Sequence, residues 1–419
     1  MLKFSPVYFV NEYRRSPSMK ANLFVLISIG ITAVGCGTQT QTSSSREQPD
    51  LPSLSETYSD VAEAIQQRYD EVVANPVSGD AWGKYGMVLD AHEFRDESIP
   101  CYKRAVELQP DDPKWAWLLA SRIQQMDSAR ALQLLEKKPS DPAKAVVFLV
   151  LEESILEELG LTGRADSILE NASETEKANA YIKLQIARRL FEKSELSKAR
   201  DLLNHADSGL PLSHRYRDAA QLLARIDQSE GRGEEAAKLL RDTESLPMSR
   251  TSITNPFMNE LALMRRDPLW LGERAAVDAR NGSLLARSEL QSLVQRFPEV
   301  VPNRIHMALL LLEEKQFQQA EQLLKAGLEV SLDDERLLMT LAAVNIDRGD
   351  WEAAELGLRH LLKLNTINGA AWSDLGFVLE QQSKWADAEH AYEQALQMQP
   401  EESALRDRLW TVQKRLKLK

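Results

Sequence analysis

Residues 79–112 read GDAWGKYGMVLDAHEFRDESIPCYKRAVELQPDD, and residues 369–402 read GAAWSDLGFVLEQQSKWADAEHAYEQALQMQPEE. Laid over each other, both place Trp at position 4 (Trp82, Trp372), Gly at 8 (Gly86, Gly376) and Tyr at 24 (Tyr102, Tyr392). Both also carry Ala at 27 (Ala105, Ala395) and Pro at 32 (Pro110, Pro400). Positions 4, 7, 8 and 11 share one face of a helix, at i, i+3, i+4 and i+7 spacing. A small residue at 8 lets a second helix approach, a large one at 24 fills the gap, and proline at 32 ends that second helix. Each stretch therefore predicts a helical hairpin that cannot bury its own apolar face and must stack on neighbours.

The register can be followed through the chain. Starts at 267, 301, 335, 369 and 403 are 34 residues apart and put Ala286, Ala320, Ala354 and Ala388 at position 20. Position 24 is then Leu290, Leu324, Leu358 and Tyr392. Upstream, starts at 146, 180 and 217 place Ala165, Ala199 and Ala236 at position 20. The repeat at 79 has Ser98 there, and the one near 113 is a residue short and regains the pattern at Ala131. The repeat at 267 has Arg274 at position 8. Residues 251–266, with the turn-like Asn255-Pro256, interrupt the array.

These residue types at these offsets closely resemble the tetratricopeptide repeat family. The resemblance implies an all-α, right-handed superhelical solenoid of about nine helix-turn-helix repeats. It would have an N-terminal array over 57–250 (repeats near 79, 113, 146, 180 and 217) and a C-terminal array over 267–402. Residues 57–74 read as a leading helix and 403–419 as a closing one. It further implies that the first helix of each hairpin lines a concave surface, chiefly through positions 2, 5, 9, 12 and 13.

Composition fits a folded helical protein: 43% hydrophobic, 27% charged, 18 glycines and 17 prolines in 419 residues. The net charge of −12 opposes a general nucleic-acid binder, which needs a basic surface. There is no glycine-rich phosphate loop, no GxSxG elbow and no HExxH motif. The six histidines (His92, His205, His214, His306, His360, His390) are not spaced as metal pairs, and Cys36 and Cys101 form no CxxC. No catalytic role, cofactor or metal is expected.

Residues 23–35, LFVLISIGITAVG, carry no charge and follow Arg14, Arg15 and Lys20. Thirteen residues are too few to span a bilayer, which takes ~20, and fit the apolar core of a signal peptide. A start at Met19 would make that signal compact. The sequence Ala33-Val34-Gly35-Cys36 resembles the bacterial lipobox, with Ala33 where that family prefers leucine. The resemblance implies a lipid on Cys36, export to the cell envelope, and residues 37–56 as a polar tether. Gly37 after the cysteine, by the same analogy, favours the outer membrane.

In the last three full repeats, groove positions 5, 9 and 12 hold Ile305, Leu309, Leu312, Met339, Ala343, Ile346, Ser373, Phe377 and Glu380. Either this is an apolar trough for an amphipathic helix or extended peptide, or tight packing and the closing helix already cover it. The family's clamp for a C-terminal carboxylate is absent: Gly83, Met87, Leu184 and Arg188 stand at its sites. The expected function is a non-enzymatic scaffold that binds a protein partner, resembling bacterial tetratricopeptide lipoproteins. The alternatives are an accessory component of a glycosyltransferase or other enzyme system, and a cytosolic adaptor with a membrane-binding N-terminus.

Overall fold

The computed structural model describes residues 49–172, 179–204, 211–244 and 251–417. The apolar leader, Cys36 and residues 37–48 of the polar tract lie outside them. Nine hairpins succeed one another among the described residues. The N-terminal five are Gly79–Ala91 with Arg95–Leu108, Pro113–Ile123 with Ser128–Leu135, Pro142–Glu158 with Thr162–Glu170, Ala180–Glu192 with Leu196–Asn204, and Arg217–Ser229 with Gly233–Glu244. The C-terminal four are Pro268–Arg280 with Leu284–Arg296, Val301–Glu313 with Phe317–Val330, Glu335–Arg348 with Trp351–Leu364, and Gly369–Gln381 with Trp385–Met398. Ser59–Ala74 precedes them and Ser403–Lys417 closes them. The chain is an all-α solenoid of tetratricopeptide-type repeats.

Local chemistry starts and turns most of the hairpins. The side chains of Ser78, Asp112, Asp141, Asn179, Asp267, Asp334 and Asn368 accept hydrogen bonds from first-turn backbone N–H groups of the first helices. In seven hairpins the chain then reverses at a left-handed position 15: Gly160, Gly231 and Gly349, but also Glu93, Ser194, Lys315 and Ser383; in the sixth it does so one residue later, at Gly282. The next N–H closes on the carbonyl five residues back, as in Phe94 to Leu89, Gln316 to Leu311 and Lys384 to Leu379.

Packing follows the repeat. Ser98, Ala165, Ala199, Ala236, Ala320, Ala354 and Ala388 at position 20, and Ala131, their counterpart in the shortened second repeat, have no exposed surface. A Cβ on Gly376 would lie 2.8 Å from the Tyr392 ring, so position 8 is small because position 24 presses on it. Position 4 has a polar duty that hydrophobic patterning does not reveal. The indole N–H of Trp82 donates to the Pro76 carbonyl (2.9 Å), that of Trp372 to Thr366 (2.9 Å), and Arg304 Nε donates to Pro298 (3.2 Å). In each case a carbonyl just past the end of the preceding helix is satisfied. Burying one leucine contributes roughly 1.5–3 kcal/mol, and each of the three largest cores spans two or more successive hairpins.

Three features depart from a uniform array. Pro142–Glu158 is 17 residues long where Gly79–Ala91 has 13, so this helix begins one turn before residue 146. Leu240, at position 24 of the fifth hairpin, is 37% exposed where its counterparts are buried. The end of the polar tract is held against the first hairpin: the Tyr85 hydroxyl donates to the Asp50 carbonyl (2.7 Å), and Leu54 packs on the first core.

Candidate protein-binding faces

The first helices of the C-terminal array carry the apolar row read from the sequence. Ile305 and Ile346 are buried, at 7% and 6% exposed. Leu309, Leu312, Met339, Phe377 and Glu380 are half-buried. Leu309 and Leu312 pack on the core that contains Ile305, while Met339 and Phe377 pack on the core that contains Ile346. One edge of each side chain thus belongs to the fold and another meets solvent.

At the C-terminal end of this row the closing helix takes part. Arg408 donates to Glu380 Oε2 (3.0 Å) and its guanidinium lies 4.9 Å from the centre of the Phe377 ring. Trp351 meets the same ring edge-on at 6.0 Å. Glu380 also accepts from the Tyr392 hydroxyl (2.9 Å). Glu380 and Phe377 are therefore engaged within the chain, and Leu309, Leu312 and Met339 form the freer part of the face.

The N-terminal array is different, because its first-helix face already holds a peptide: residues 251–266. Thr251 N–H donates to Asp218 Oδ1 (3.1 Å) on the fifth hairpin. Ile253 packs on the cores of the third hairpin and its neighbours. Pro256–Ala262 forms a short helix capped by Asn255. Its Phe257 is 1% exposed, with ring centres 5.6 Å from Trp117 and 6.3 Å from Phe148. Lys114 Nζ pairs with Glu260 (2.9 Å), and Arg266 N–H donates to His92 Nε2 (2.9 Å) on the first hairpin. The segment runs from the fifth hairpin back to the first, over helices whose positions 2 and 5 (Lys114, Trp117) are groove positions. Burial lowers the His92 pKa, against the pull of its bond to the Val88 carbonyl, which keeps the ring a neutral acceptor for Arg266.

Charged pairs bind hairpin to hairpin and lay outside the hydrophobic reading. Arg122 Nε donates to the buried Asp90 (2.7 Å), which also accepts from the Tyr102 hydroxyl (3.1 Å). Arg189, 32 residues after Glu157 as Arg122 is after Asp90, pairs with Glu157 and with Glu153. A second set joins residues 27 apart: the ion pairs Arg200–Asp227, Arg287–Glu314 and Glu321–Arg348, with a hydrogen bond from the Gln382 amide to Glu355 at the same offset. Burial pushes the Glu355 carboxyl up, but hydrogen bonds from Lys384, Arg359 and Gln382 outweigh it and hold the group at about 2. The fixed offsets of 27 and 32 were the available signal. Cys101 is buried, and burial pushes its thiol up to about 12, so it is a packing residue.

These faces define a tetratricopeptide-like helical-repeat protein. Residues 274–406 match the family model described as the tetratricopeptide repeat protein 21 C-terminal ARM domain. No curated protein sequence matches the chain. Among solved structures, a chain of Naa15/Naa10 bound to HypK-THB is 16% identical (TM-score 0.31), covering 85% of this chain and 58% of that one. This chain thus spans little more than half of that protein's length. The APC/C hetero-tetramer Cut9-Hcn1 is similar at 12% identity (TM-score 0.34), covering 84% and 83%. The MamA RS-1 ArsTM double mutant is similar at 16% (TM-score 0.30), covering 42% and 91%.

Proposed function

We propose that this chain is a non-enzymatic protein–protein interaction scaffold of the bacterial cell envelope. In this reading the C-terminal array seats a helix or extended segment of a partner protein across its first helices. The observation that carries it is the row Leu309, Leu312 and Met339, half-buried side chains on successive first helices with one apolar edge left to solvent. Helical-repeat folds of this kind present extended side-chain surfaces without needing a catalytic constellation.

The leader at 23–35 and the lipobox-like Cys36 support attachment to a membrane by a lipid, with the array facing the periplasm. Among the described residues no helix is long and apolar enough to cross a membrane. Mass spectrometry of the mature N-terminus tests the attachment: a diacylated cysteine at 36 supports it, and an unmodified downstream terminus contradicts it. Leu309→Glu tests the face. The variant is expected to keep its helical circular dichroism and lose its partner by about tenfold or more in affinity. Unchanged binding would contradict the assignment.

A further inference from the structure

Residues 251–266 have the character of a bound ligand more than of a structural element. One side is seated, with Phe257 and Leu261 at 1% and 7% exposed, while Met258 and Leu263 on the other side are 37% and 64% exposed. The helix within it is a single pair of turns that could not persist without the surface beneath it. Between backbone contacts at its two ends, Thr251 on Asp218 and Arg266 on His92, it is held by side chains of the kind that peptide-binding grooves use: an aromatic anchor between Trp117 and Phe148, and an acid on Lys114.

We infer that residues 251–266 are a built-in occupant of the N-terminal groove, and that a partner protein engages this groove by displacing them with a segment of the same chemistry. That segment has an aromatic residue in the first turn of a short helix, an acid three residues on and a leucine four residues on, as Phe257, Glu260 and Leu261 stand here. The aromatic ring fills the Trp117–Phe148 site, and the acid answers the Lys114 ammonium, the basic group that the tethered segment itself pairs. Tethering gives the internal segment a high effective concentration, so the partner's segment must bind more tightly or reach the groove when the tethered one has opened. The inference extends the scaffold reading to a second face and rests on it.

The test uses the full chain and a labelled synthetic peptide of residues 251–266. Phe257→Ala with Leu261→Ala weakens the tethered segment, and this variant is expected to bind the peptide at least about tenfold more tightly than the parent chain. Adding Lys114→Glu is expected to abolish that gain, and a peptide carrying Glu260→Lys to restore it. A peptide that binds neither chain overturns the inference, as does concentration-dependent dimerisation of the parent chain through exchanged 251–266 segments. If the double variant fails to fold, hydrogen exchange on the parent chain decides. Amides of 257–266 are expected to exchange at least about tenfold faster than those of 113–123. Equal protection would make the segment part of the core and overturn the inference. Leu309→Glu tests the C-terminal face separately, so failure of one reading is distinguishable from failure of the other.

Discussion

Asp374, at position 6 of the last repeat, is half-buried, and burial pushes its carboxyl from 3.8 up to about 7. Such a group favours folding fully below its unfolded value and loses that contribution as the pH rises through about 7. Asparagine copies the neutral form. Asp374→Asn is therefore expected to raise the melting temperature by a few degrees at about pH 8 and to leave it nearly unchanged at about pH 4. Differential scanning calorimetry at the two pH values checks this, and an equal shift at both would contradict it. Residues like this one are hard to find in a sequence, because no spacing separates a buried acid such as Asp374 from a solvated one. Asp90 and Glu380 were more legible in principle. Both stand at position 12, both accept from the tyrosine at position 24, and both take an arginine from the second helix along, Arg122 and Arg408. Hydrophobic periodicity passes over them because neither is apolar.

At the scale of the element, the hairpin turn is the most repetitive device in the molecule. In seven hairpins position 15 is left-handed, where a side chain costs about 1–2 kcal/mol and glycine costs little. Four turns carry Glu93, Ser194, Lys315 and Ser383 instead of glycine, with φ of 70°, 62°, 60° and 58°. Ser383→Gly and Lys315→Gly are each expected to stabilise the chain by about 0.5–1 kcal/mol, read as a higher urea midpoint with unchanged slope. A lower midpoint would mean that these side chains support the turn in some other way. The positions of the hairpins were legible because alanine at 20 and a large residue at 24 recur every 34 residues. The third hairpin's early start at Pro142 was not, since an added helical turn shifts the first helix without moving Ala165.

Across the whole molecule, the two arrays offer the same face in two states. The C-terminal face presents Leu309, Leu312 and Met339 with apolar edges in solvent, and the N-terminal face lies under residues 251–266. In the sequence those residues were only an interruption. Their role depends on contacts spanning up to 174 residues, from His92 to Arg266, which no local pattern encodes. The same is true of Arg296 on Asp60 and Phe297 against Tyr58, which bring the start of the C-terminal array to the leading helix. The N-terminal face is accordingly covered by a segment made much later in the chain, and nearest-neighbour repeat contacts alone do not describe it.

The central claim is that a partner protein lies on the first helices of the C-terminal array. Photocrosslinking in cells reads this most directly, with a photoreactive amino acid at Leu309 or Met339 on that face and at Leu356, 72% exposed, on the second-helix side. The account expects one protein crosslinked from both 309 and 339 and not from 356. Crosslinks to the same protein from 356 alone, or none from 309 and 339 while the partner still co-purifies, would contradict it.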